Sequence, residues 1–126
     1  MNQVDTLFIS HLRHLAEREP EKYKIHRMDG IGEIFSIGGK WLVVWNTPMM
    51  EITQDGIDAL AGEMGYLIEV KLDRAKPTIP VEWLWYASIC KKDSLKLRRA
   101  STDFADKLTA AKHALMAIIA ELYGKP

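Results

Sequence analysis

His11 and His14 lie three residues apart near the amino terminus, a spacing that can bring two imidazoles to one metal ion. A structural zinc site needs two further ligands, and a catalytic one needs at least one more plus water. No other residue stands at ligand spacing: His26 and His113 belong to no pair, and Cys90 is the single cysteine. The expectation is no metal, with His11 edging an apolar stripe and His14 solvated. Lys91 and Lys92 follow Cys90 directly, and neighbouring positive charge raises the thiolate fraction of a thiol. A nucleophile also needs a base and an oxyanion site. Neither is assignable here, so Cys90 reads as a small packed hydrophobe.

Two groups of carboxylates stand near expected helix starts, Asp103 with Asp106, and Glu51 with Asp55 and Asp58. Negative charge complements the positive end of a helix dipole, which explains both groups without acid–base work. The glycines of "DGIGEIFSIGG" fall at strand turns, and no Lys-Ser or Lys-Thr follows as in a phosphate-binding loop. The chain is therefore read as a non-enzyme without a cofactor.

The stretch "WYASICKKDSLKLRRAS", residues 85–101, carries Lys91, Lys92, Lys96, Arg98 and Arg99 against Asp93, a local charge of +4. A basic β-ribbon can follow phosphates, and Trp83, Trp85 and Tyr86 just upstream can stack on exposed bases. The competing expectation is an edge strand with Leu95 and Leu97 facing the core and Lys96 and Arg98 in solvent. The whole chain favours the second: 17 Lys plus Arg balance 17 Asp plus Glu, so no overall field draws it to nucleic acid or an anionic membrane.

The elements that would position these residues follow from periodicity. Val4, Leu7, Phe8, Leu12 and Leu15 predict a helix over 3–18, ended by Pro20. Asp29-Gly30 and Gly38-Gly39 separate β-rich runs at 22–28, 32–37 and 40–46, a three-strand meander. After Pro48, Thr53 caps a short helix lined by Ile57, Leu60, Ala61 and Met64, with Gly65 following it. Runs at 66–73, 82–90 and 95–100 form a second meander, with "AKPTIP" as a loop. Phe104, Leu108, Ala111, Leu115, Ile119 and Leu122 predict a last helix closed by Gly124. Trp41, Val43 and Trp45 share one strand face opposite Leu42 and Val44; Trp83, Trp85 and Ile89 share another opposite Leu84 and Tyr86. Most of these rings are expected in the core, and any exposed remainder, with Met49 and Met50, would make a protein-binding patch.

The fold class is α+β, antiparallel sheets in the order α-βββ-α-βββ-α with helices packed on the sheet. With 126 residues, 48% of them hydrophobic and 27% charged, the chain is expected to form a single globular domain. The amino terminus reads as neither signal peptide nor membrane span, and one cysteine suits a reducing compartment, so a cytoplasmic location is expected.

The run from "WLWYASI" through "LKLRRAS" into "LTAAKHALMAII" resembles the hairpin-then-helix ending of small phage and prophage accessory proteins. More remotely, it resembles the sheet-plus-helix arm-binding domain of phage integrases, which the first seventy residues do not match. The resemblance implies a mobile-element protein that acts by binding, as an inhibitor of a host defence or nucleic-acid enzyme. The expected contacts on such a host protein are Lys91, Lys92, Lys96, Arg98 and Arg99, with Trp85 and Tyr86. The alternative is a nucleic-acid-binding regulator using the same hairpin; a homo-oligomer is a further option.

Overall fold

The computed structural model describes residues 3–29, 32–37, 40–45 and 52–126, with the side chains of Met28 and of residues 40–45 excepted. Helix α1, Gln3–Arg18, buries Phe8, Ile9, Leu12 and Leu15 along one face. Its last turn closes where Glu19 N–H donates to Leu15 O at 3.0 Å, immediately before Pro20. Strands β1 (Tyr23–Met28), β2 (Gly32–Ile37) and β3 (Lys40–Trp45) form an antiparallel sheet in chain order. Tyr23 and Phe35 stack on its core face at 5.8 Å.

Helix α2, Gln54–Glu63, begins as its cap residue dictates: Thr53 Oγ1 accepts from Gly56 N–H at 3.0 Å. It ends where Gly65 adopts φ 81°, a left-handed backbone that a side chain opposes. Strands β4 (Tyr66–Lys76), β5 (Glu82–Lys91) and β6 (Arg98–Arg99) make the second antiparallel sheet. Helix α3, Lys107–Tyr123, starts at Asp106, whose carboxylate accepts from Leu108 N–H at 3.1 Å and Thr109 Oγ1 at 2.9 Å. Gly124 ends it with φ 82°. The architecture is α+β, with the expected order of helices and strands.

α3 is buried on several faces at once, through Ala110, Ala111, Ala114, Leu115, Met116, Ile118 and Ile119. That is the pattern of a helix with neighbours all round. α1 and α2 pack against it, and it packs in turn on β4 and β5; α1 also reaches β1, and α2 reaches β3 and β4. The helices thus link the two sheets, and one hydrophobic cluster draws on α1, β1, β2, α2, β4, β5 and α3. Within it Lys112 Nζ meets Asp5 Oδ1 at 2.6 Å, tying α3 to α1.

Several expectations need correction. β4 runs on to Lys76, and the expected strand 95–100 shrinks to Arg98–Arg99. The helical start moves from Phe104 to Lys107 because Phe104 instead bridges Trp85 as an extended residue. Leu7, assigned to the apolar stripe, is 48% exposed, and Leu122 at the far end of α3 is 43% exposed. The turns at Gly30 and Gly38-Gly39, the faces of Trp41, Leu42, Val43, Val44 and Trp45, and the roles of Pro48, Met49, Met50 and Glu51 lie outside the described residues. Among the described residues no helix is long and apolar enough to cross a membrane.

Candidate binding surface

At the end of β5, Lys92 N–H donates to Gly65 O at 3.0 Å and Ser94 N–H to Lys91 O at 3.0 Å, and the chain then turns outward. It rejoins β5 only at Arg98 and Arg99, opposite Ile89 and Ser88. Ala100 N–H then donates to Ala87 O at 2.9 Å, and Phe104 exchanges both backbone hydrogen bonds with Trp85. Leu95 therefore stands fully exposed at the tip and Leu97 is 42% exposed. The expectation that Leu95 and Leu97 face the core is overturned: the register sets Arg98 on the face of Ile89, toward Glu121 of α3, so Leu97 falls with Arg99 on the opposite face, and Leu95 stands beyond the paired residues.

The basic side chains separate into two kinds. Arg98 pairs with Glu121 of α3, whose carboxylate also accepts from Tyr66 Oη at 3.2 Å. Burial and the Glu121 charge together push the Tyr66 phenol above its ordinary range. Arg99 Nη2 donates to Asp103 Oδ1 at 2.7 Å, and its guanidinium lies 4.4 Å from the centre of the Tyr86 ring. Arg74 Nε stands 3.7 Å from the other Asp103 oxygen. Asp73 beside them is held above the usual carboxylate range, chiefly by its hydrogen bond to Asp103. Glu121 of α3 and Asp103, four residues beyond Arg99, thus meet the two arginines, halving the charge of +4 carried by residues 91–99. The three lysines make no ion pair through their side chains among the described residues. Lys92 folds back over the last turn of α2, its Nζ 3.4 Å from where a Cβ on Gly62 would lie, which leaves Lys91 and Lys96 as the cations that project from the tip.

The aromatic residues do not join the basic tip as one surface. Trp83 lies about 27 Å along the strand from Lys91, at about 3.4 Å per residue. Trp85 lies on the strand face shared with Ala87 and Ile89, half-buried, with Lys107 Nζ 4.1 Å from its ring centre. Tyr86 takes the opposite face under Arg99. Expected core burial therefore fails for Trp83, which is 53% exposed.

Trp83 belongs to a feature that periodicity missed. β4 has 11 residues and β5 has 10, so β4 is about 37 Å long. α3, with 17 residues, covers about 25 Å. The surplus forms an arm: residues 72–81 are all exposed, and Leu72, Ile79, Val81 and Trp83 present apolar surface along it. The bulge at Leu72/Arg74 falls at the arm's root, where such an irregularity bends a strand. The available signal was the lack of core-facing alternation in "KLDRAKPTIP".

The histidines have separate jobs. His11 is buried and its Nδ1 donates to Leu7 O at 2.8 Å. His14, expected in solvent, is half-buried and its Nε2 donates to Tyr123 O at 3.0 Å. His26 meets Ser36 Oγ at 3.0 Å, and His113 stacks on Phe104 at 4.6 Å. Burial first, then His11, holds His113 below its ordinary pKa. Among the described residues no three His, Cys, Asp or Glu side chains are placed to hold a metal ion. Cys90 is half-buried opposite Leu67 and makes no hydrogen bond through its thiol among them. Asp106 is a helix cap, as the dipole argument required, whereas Asp103 serves the arginines.

Compared with known proteins, the chain matches no family model, no curated protein and no solved structure.

Proposed function

We propose that this is a non-catalytic accessory protein of the mobile-element kind, which binds a host protein and occludes a functional face of it. The observation that carries this reading is the arm: ten consecutive exposed residues, 72–81, ending beside an exposed Trp83, with Ile79 fully exposed at the turn. A contiguous exposed apolar surface marks an interaction site, and a tryptophan that enters a partner's pocket is among the side chains that supply most of the binding energy. Lys91, Lys96 and Leu95 form a secondary contact at the far end of β5. Arg98, Arg99, Trp85 and Tyr86 act mainly within the fold. A cytoplasmic location suits the single free thiol.

The test is capture from a host lysate by tagged wild-type protein and by an Ile79→Ser/Trp83→Ala variant, each with and without nuclease. A protein retained by the wild type in both conditions and lost by the variant is the expected result. The second reading, a nucleic-acid-binding regulator, rests on the projecting Lys91 and Lys96. It predicts nuclease-sensitive capture, unaffected by the arm variant, and affinity that falls steeply with salt; that outcome replaces the first reading.

A further inference from the structure

We infer that β4 is the self-association edge of this protein, pairing antiparallel with β4 of a second copy about a two-fold axis at Val70. β4 ends the second sheet, with β5 as its only strand partner among the described residues. The direction of its free hydrogen-bonding groups follows from β5. Trp85 and Ala87 turn their backbone groups toward Phe104 and Ala100, so Tyr86, Ser88 and Cys90 hold Lys71, Glu69 and Leu67 of β4. Ile68, Val70 and Leu72 therefore direct their N–H and C=O groups away from β5, to an edge that no strand among the described residues pairs, a row ready to accept another strand.

Charge selects both the occupant and the register. Glu69 and Lys71 lie two apart on one face, their charged groups 3.8 Å from each other. In the register centred on Val70, Glu69 of each copy stands opposite Lys71 of the other, giving two opposite-charge pairs, in the close non-hydrogen-bonded geometry. On the other face Val70 meets Val70, and Ile68 meets the exposed Leu72 of the second copy. Slipping by two residues either way sets Glu69 against Glu69 or Lys71 against Lys71. The edge charges thus do not forbid pairing with an identical strand; they permit one register of it.

Sedimentation and light scattering across a concentration series test this directly. The expected wild-type result is a reversible dimer of twice 14.4 kDa. Glu69→Lys and Lys71→Glu each place like charges opposite one another twice, and each is expected to weaken self-association by roughly tenfold. An equimolar mixture of the two variants restores dimerisation, because one copy then carries lysine at both positions and the other carries glutamate at both. Both side chains are substantially exposed, and circular dichroism confirms that the variants keep the fold. A wild type that stays monomeric throughout the series overturns the inference, as does a dimer that neither charge change weakens.

Discussion

Lys112 is the residue whose setting departs furthest from its type. Ala111, Leu115 and Met116 are buried around it on the helix, and the Lys112 ammonium is withdrawn from water with them, 2.6 Å from Asp5. Removing one member of a buried ion pair leaves the other charge desolvated, which costs more than the pair itself contributes. Lys112→Met is expected to lower unfolding free energy by about 3 kcal/mol, read by urea denaturation, while Lys112→Met with Asp5→Leu recovers most of that loss. His113 makes a different residue-level prediction. Its folded-state pKa lies below the ordinary value, first through burial and then through His11, so the fold favours the neutral ring. That contribution is present above the unfolded value, about pH 6.5, and is lost as pH falls through the lower folded one. His113→Phe keeps the stack on Phe104 and is expected to flatten the decline in melting temperature between about pH 7 and pH 5. An unchanged slope would assign the acid sensitivity to other groups.

At the scale of elements, the helices were legible because their signals are local. Phe8, Leu12 and Leu15 repeat at helical spacing, Thr53 accepts the hydrogen bond that its position called for, and Gly65 and Gly124 take the positive φ of helix ends. Element order was legible for the same reason. Strand limits were not, because a strand lasts as long as its partner does, and the partner is distant in sequence. β4 continues to Lys76 because β5 pairs with it there, although "DRAK" has little β propensity of its own. The short β6 is the converse case: Leu95 and Leu97 alternate correctly for a strand, but the turn after Lys91 carries them away from β5. The charge of the basic segment was legible and its neutralisation was not, since Glu121 reaches Arg98 only through the packing of α3 on the sheet.

For the whole molecule, the division between what holds the fold and what projects from it sets the relation between stability and binding. Ile118 is fully buried on α3 and Ile79 fully exposed at the tip of the arm, so one substitution at two sites separates the two roles. Ile118→Ala removes buried methyl groups from a helix packed on two other helices and a sheet, and is expected to cost about 3 kcal/mol in unfolding free energy. Ile79→Ala removes no packing and is expected to change stability by less than about 0.5 kcal/mol. Partner capture should move the opposite way: it survives Ile118→Ala at temperatures where that variant is still folded, and it falls sharply for Ile79→Ala. The comparison needs both measurements on both variants. A loss of stability in Ile79→Ala would mean that the tip packs against something and is not free to bind, and retention of capture by that variant would move the contact surface back to the loop around Lys91 and Lys96.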